Sequence, residues 1–415
     1  MTFLKLEHPV KLRIILFFFP YLLGFTVAGQ SLPTGQEVRY NPIVTSVPFL
    51  NITPDSRHGG MGNVGVATSP DANSQYLNPS KYAFTEGSLG FSLSYTPWLR
   101  GIVNDVSLSY LAGYIKLDRN QVIGSSLRYF TMGEIELTGA DEASLGTTKP
   151  SEFAFDLSYS RKLSDVFSGG ITLRYIHSNP LGGFGLENYT AGNAVASDVS
   201  FFYLNNWGNY RLTKSIAAGI NLSNIGSRIS YDNGSSKYFL PANLKVGATY
   251  TSDINDNNSF SISLDFNKLL VPTPTYTHMT TGDVIVLPVK DSNYQSVISS
   301  IFGSFTDAPG GLREELSEVT ISVGAEYWYK KYFALRTGYF NESQDKGNRK
   351  YFSTGIGLKM KATTVDFSYV LPVQSNNPLA NTMRITLLFN FDSLTKSKSQ
   401  NMRRRNQRSR INHRY

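Results

Sequence analysis

The 415-residue chain has no cysteine, which excludes disulfides, thiolate catalysis and Cys-ligated zinc. Ions are scarce as well. Charged side chains make up 17% of the chain and mean hydropathy is −0.20, so Ser, Asn, Thr and Gly supply most of the polarity. Past the N-terminal segment no apolar run approaches the ~20 residues of a membrane-crossing helix, and helical periodicity is nearly absent, which argues against a helical membrane protein. Aromatics, by contrast, are plentiful: 25 Tyr and 26 Phe.

Lys5, Lys11 and Arg13 precede "IILFFFPYLLGFTVAG", a short apolar core that ends in Val27, Ala28 and Gly29. Pro20 and Gly24 interrupt it, as they would not a spanning helix. Residues 1–29 therefore read as a secretory signal peptide.

From Gly87 onward the chain alternates. Large apolar residues at Leu89, Phe91, Leu93 and Tyr95 are separated by Ser or Gly, a period of two. The parity recurs at Phe153/Phe155/Leu157/Tyr159, Phe260/Ile262/Leu264/Phe266 and Val365/Phe367/Tyr369/Leu371. With the less tidy runs, about fourteen strands are expected, an even number as in single-chain outer-membrane barrels. Connections alternate too. Tight turns such as "LDRN" and "KLSD" separate long segments at 132–151, 178–197, 227–238 and 269–317. That layout belongs to a transmembrane barrel, with short turns periplasmic and long loops extracellular. Opposite the oily faces lie Asp156, Arg174, Lys245, Asp265, Glu326, Arg336, Asp366 and Arg384. Charges of both signs at membrane depth imply a polar, crosslinked and plugged lumen. The fold class expected is all-β: a transmembrane antiparallel β-barrel over 87–392, with an N-terminal hatch segment, 30–86, inside it and a basic periplasmic tail, 393–415.

The stretch "GGMGNVG" contains G-x-G-x-x-G at Gly60, Gly62 and Gly65, with Glu86 downstream at the distance of a ribose-binding carboxylate. A dinucleotide loop needs a strand before it and a helix after it. Here "NITPDSRH" is turn chemistry, and Pro70 and Pro79 fall where the helix would run. The glycines fit a hatch instead, where small residues allow close backbone packing.

Ser56 to Phe84, with its Gly-rich turn, Asp71, Ala72, Asn78 and Pro79, resembles the hatch of FadL-like outer-membrane barrels. The resemblance sharpens to the PorV family of the type IX secretion system of Bacteroidetes. It is carried by "NLSNIGSRISY", "LPANLKVGATY", "LDFNKLLVPTPT", "FTDAPGGLREEL", "GAEYWY" and "LRTGYFNES". It implies a cell outer-membrane protein without cofactor or metal and without catalysis. Such a protein binds the C-terminal signal domains of secreted cargo at a large outer-membrane translocon barrel and delivers them to a sortase-like surface attachment protein. Lipid or lipopolysaccharide contacts are expected of the barrel, and nucleic acid is not expected as a partner. The tail "RRRNQRSRINHRY" departs from the family pattern.

Partner binding is expected in the longest loop, 269–317, where two short helices are anticipated. There Asp307, Pro309 and Gly310 form a turn that would present Arg313, Glu314 and Glu315. Two alternatives stand beside this reading: a lipopolysaccharide acyl hydrolase, or a FadL-like transporter of hydrophobic small molecules. Hydrolysis would need Ser, His and a carboxylate together. His177 and Ser178 are adjacent, yet neighbours along a strand point to opposite faces, and no G-x-S-x-G occurs.

Overall fold

The computed structural model describes residues 41–98, 105–138, 144–182, 189–208, 212–278, 284–287, 296–373, 379 and 382–391. The expected signal peptide, the first part of the hatch segment (30–40) and the basic tail lie outside the described residues.

Fourteen strands close into one antiparallel barrel. In chain order they are β1 (Leu89–Pro97), β2 (Ser107–Lys116), β3 (Gln121–Thr131), β4 (Ser151–Lys162), β5 (Phe167–Asn179), β6 (Gly192–Gly208) and β7 (Thr213–Gly226). There follow β8 (Asn243–Asn255), β9 (Asn258–Leu269), β10 (Thr320–Tyr329), β11 (Phe333–Asn341), β12 (Lys350–Met360), β13 (Thr363–Pro372) and β14 (Met383–Asn390). Each pairs with its neighbours in sequence, and β1 pairs with β14 to close the ring, with Phe91 opposite Phe389. Closure leaves no edge strand, so the ladders of the wall are satisfied on both sides, apart from irregularities such as the bulge beside Asp198, whose carboxylate accepts from Asn224 N.

Parity sets the two faces. On β1, Ser92, Ser94 and Thr96 are buried, while Leu93 and Tyr95 are each 49% exposed. On β5, Thr172 and Arg174 face in, and Ile171 and Leu173 are 58% and 64% exposed. Outward residues are thus apolar and inward ones polar, the reverse of a soluble core, as a lipid-facing wall requires. At the seam Phe91 stacks on Phe389 with centroids 4.7 Å apart and also meets Phe391, 5.8 Å away. Among the described residues no helix is long and apolar enough to cross a membrane.

One boundary differs from expectation. β6 begins at Gly192, inside the stretch 178–197 read as loop, and pairs with β5 as far as Ser178 opposite Gly192. Its inward residues there are Ala194 and Ala196, so the oily-polar contrast that marks a strand vanishes. The long loops also carry two small hairpins, Ile135–Thr138 with Ser144–Thr148 and Thr275–His278 with Val284–Leu287.

The segment from Asn41 to Glu86 has only short turns of helix: a 3-10 turn at Pro48–Asn51, α1 at Ser56–Gly59, α2 at Ser74–Leu77 and a second 3-10 turn at Pro79–Phe84. Among the described residues no strand precedes the glycines and no long helix follows them, so the dinucleotide reading is excluded by the backbone. A cavity of about 630 Å³ lies on the long-loop side of this segment, and another of about 610 Å³ on the short-turn side.

Candidate functional site

The segment before the barrel is tied to inward side chains all round the wall. Gly65 N and Val66 N donate to Asp265 Oδ2 on β9 at 2.7 and 3.0 Å, and Gly62 N donates to Ser353 Oγ on β12 at 2.8 Å. Asn221 on β7 donates to Leu77 O at 3.0 Å, Ser160 on β4 to Pro79 O at 2.8 Å, and Ser168 on β5 to Ser80 O at 2.8 Å. On β14, Thr386 Oγ1 accepts from Ser56 N at 2.9 Å and Arg384 Nε donates to Thr53 O at 3.1 Å. The plug borrows hydrogen-bond partners from the wall because its short helices satisfy few of their own backbone groups.

The glycines permit this contact. A Cβ on Gly62, whose φ is +69°, would stand 2.7 Å from Tyr339 N, and one on Gly65 would stand 2.1 Å from a Leu77 methyl. Gly60 lies against the Gly355 backbone, where an added Cβ would have 3.1 Å of room. Asn78 caps the turn begun by Pro79: its Oδ1 accepts from Ser80 N, and its Nδ2 bridges Val66 O and Phe201 O at 3.0 Å each. The five hatch positions read from the sequence, Gly60, Gly62, Gly65, Asn78 and Pro79, all sit where plug meets wall or folds on itself.

Two buried ionic clusters crosslink the interior. Arg174 contacts Asp156 at 2.6 Å and Asp198 at 2.9 Å, and Arg128 joins the same Asp156 while donating to Leu50 O of the plug. In the second, Arg57 of the plug pairs with Asp71 and with Glu326, which also holds Arg336, itself paired with Asp366. The sequence placed Asp156, Arg174, Glu326, Arg336 and Asp366 inward but did not single out Arg128 or Asp198; it had no local signal for Arg57 as a partner, 269 residues from Glu326.

His58 resembles a catalytic group by its neighbours alone. Its Nδ1 lies 2.8 Å from Asp55 and its Nε2 3.1 Å from Thr68 Oγ1. That hydroxyl already donates to Gly65 O and accepts from Lys81 Nζ at 3.0 Å, and none of the three residues lines either cavity. The cluster caps α1 through Asp55 and locks the plug. His177 lies on the lipid side with Nδ1 2.9 Å from Asn193, whereas Ser178 faces in and bonds Glu152 and Tyr231. No catalytic pairing forms between them.

The longest loop contains the two anticipated helices, α3 (Val297–Gly303) and α4 (Leu312–Ser317). Glu314 and Glu315 do lie in the first turn of α4, but the expectation that they project outward is overturned. Glu315 is buried 3.0 Å from Lys268 and accepts from Ala308 N. Glu314 meets Lys346 at 2.6 Å, Asn41 at 2.9 Å and Gly310 N at 2.6 Å. Glu318 takes Lys268, Lys346 and Thr273. Three carboxylates and two ammonium groups thus lash the loop across the barrel mouth. The first-turn position of these carboxylates was readable, but their cations were not, since Lys268 lies 47 residues from Glu315 and Lys346 lies 32 from Glu314. Asp307 accepts from Thr273 N at 3.2 Å, burial pushing its carboxyl up, while Pro309, Gly310 and Arg313 remain exposed.

What the loop presents outward is apolar. Ile298 and Phe302 on α3 are 66% and 73% exposed, and Leu312 and Leu316 on α4 are 76% and 65% exposed. Each pair is spaced i, i+4, so it shares a helix face; Ile301, on the adjoining flank of α3, packs against Ala242, Leu270 and Val271. That spacing was the signal available in the sequence, and nothing was drawn from it.

Among solved structures, the chain is similar to the Ralstonia pickettii toluene transporter TbuX, with 13% identity and a TM-score of 0.45 over 82% of this chain and 98% of that one. It is also similar to a Pseudomonas aeruginosa FadL homologue, with 12% identity and a TM-score of 0.41 over 85% and 99%. No curated relative matches the sequence. The model of the family described as type IX secretion system protein PorV matches residues 35–276, more than half of the chain, and the chain belongs to that family.

Proposed function

We propose that this outer-membrane barrel is a non-enzymatic carrier of the type IX secretion system. It binds the C-terminal domains of secreted proteins at the translocon and passes them to the surface attachment machinery. Its long loops face outward and the plug keeps the lumen shut while cargo is handled outside it. The observation that carries the reading is the apolar row on α3 and α4. Large apolar side chains held exposed by buried ion pairs beneath them mark a protein-contact surface rather than loose loop.

The test is a double substitution, Phe302→Asp with Leu312→Asp, in cells that secrete type IX cargo. The barrel is expected to insert and to shift on gels after heating, while cargo stays in the periplasm and the variant, purified in mild detergent, no longer brings down translocon. Normal secretion by the inserted variant would overturn the reading.

A further inference from the structure

The cavity on the long-loop side contains two cations that make no contact ion pair, although Asp265 on the same lining acts on Lys245 at longer range. Lys245 projects from β8 and Arg384 from β14, strands six places apart in the fourteen-strand ring, so the two groups come from nearly opposite walls. Tyr76 of α2 lies on the same cavity, with Lys245 Nζ 4.5 Å from its ring centroid. Among the described residues Lys245 makes no hydrogen bond or ion pair. Arg384 is 2% exposed, and beyond its Nε bond to Thr53 O neither terminal nitrogen meets a protein partner; Nη1 is fully buried. The other cations lining the cavity are engaged: Lys346 with Glu314 and Glu318, Arg349 with Glu342.

Acceptors on the same lining are equally short of partners. Asn63 Oδ1, Asn243 Oδ1, Asn267 Oδ1 and Asp265 Oδ1 are buried without a protein donor. Buried polar atoms are normally satisfied, and a buried cation is costly unless paired, so the lining lacks an anion against the Arg384 guanidinium and several hydroxyl donors. Trp98, Tyr76 and Phe340 add apolar faces. An alkyl chain or aromatic hydrocarbon would fill the volume and leave all of these polar groups unmet.

We propose that this cavity binds an acidic saccharide. Its carboxylate or phosphate group lies in the field of Arg384 and Lys245, its hydroxyls donate to the asparagine and aspartate oxygens, and its ring rests on the aromatic faces. A cavity of about 630 Å³ accommodates one or two sugar rings. The site contains none of the exposed apolar residues assigned to cargo, although Glu318 and Lys346 of its lining also hold the loop.

Titration calorimetry on the purified barrel in mild detergent tests it, with digalacturonate and glucose 1-phosphate as probes and maltose and dodecanoate as controls. At least one acidic probe is expected to bind, with both controls at least about tenfold weaker, since a charge-assisted bond is worth a factor of that order. Lys245→Met should weaken the acidic probe about tenfold, and Arg384→Met at least as much. Lys245 makes no hydrogen bond, so its variant keeps the fold, which the heat-dependent gel shift verifies. The proposal is overturned if neither acidic probe binds, if dodecanoate or maltose binds as tightly, or if Lys245→Met binds like the parent.

Discussion

Arg57 and Glu326 form a forked ion pair between plug and wall, Nε to Oε2 at 3.0 Å and Nη2 to Oε1 at 2.8 Å, with both side chains buried. Glu326 also accepts from Arg336 Nε at 2.7 Å, so one carboxylate bridges two guanidinium groups, which Asp71 and Asp366 pair from their other sides. Replacing Glu326 by Gln removes the charge-assisted bonds that join plug and wall here, a loss of about 1.5–3 kcal/mol. The variant should change gel mobility at a distinctly lower temperature than the parent. An unchanged temperature would mean that the pair does not hold the plug.

Gly338 on β11 faces the plug where an added Cβ would stand 2.0 Å from Met61 C and 2.2 Å from Gly62 N. The backbone there cannot yield as a side chain would. Gly338→Ala should displace the plug while the strand keeps its ladder, so cells become sensitive to antibiotics too large for an intact outer membrane. Resistance equal to the parent's, with the variant inserted, would show that the plug adjusts without opening.

The loop lashing is expected to depend on pH. Burial pushes the Glu314 carboxyl up, but hydrogen bonds from Lys346 and Asn41 outweigh it and hold the group below its ordinary range. A carboxyl depressed in the folded state contributes stability above its unfolded pKa, about 4.3, and loses it as pH falls through the folded value. Amide exchange across α4, corrected for the intrinsic rate, should therefore be faster near pH 3 than at pH 7 in the parent. In Lys346→Met it should be fast at both. Equal protection at the two pH values in the parent would refute the coupling.

His177→Ala should leave secretion, insertion and lipopolysaccharide acylation unaltered, because His177 and Ser178 point to opposite faces of β5. Loss of a deacylase activity in the inserted variant would reinstate the hydrolase.

The barrel was legible in the sequence wherever inward and outward residues differ in kind, as on β1, where Ser and Thr alternate with Leu, Phe and Tyr. It faded where inward residues are Ala, at the start of β6. The inward charges were legible from parity, and the hatch glycines from their lack of strand and helix. Partners were not. Gly65 and Asp265 are 200 residues apart, and no local pattern encodes which wall residue serves which plug amide. The outward direction of Ile298, Phe302, Leu312 and Leu316 was hidden for a related reason, since apolar i, i+4 pairs look the same whether they face a core or a partner.

Asn41 bonds Asp345 O and Pro274 O among the long loops, whereas Ser88 accepts from Lys116 N beside the short turn that follows β2. The chain therefore runs the length of the ring before it begins to build it. Thr53 and Ser56 have their seats on β14, the strand made last. Early residues must wait through the synthesis of some three hundred others for the strand that receives them. The same β14 then meets β1 to finish the circle. Seating Thr53 and Ser56 and sealing the ring thus depend on one strand, and a chain cut short before Met383 loses both at once.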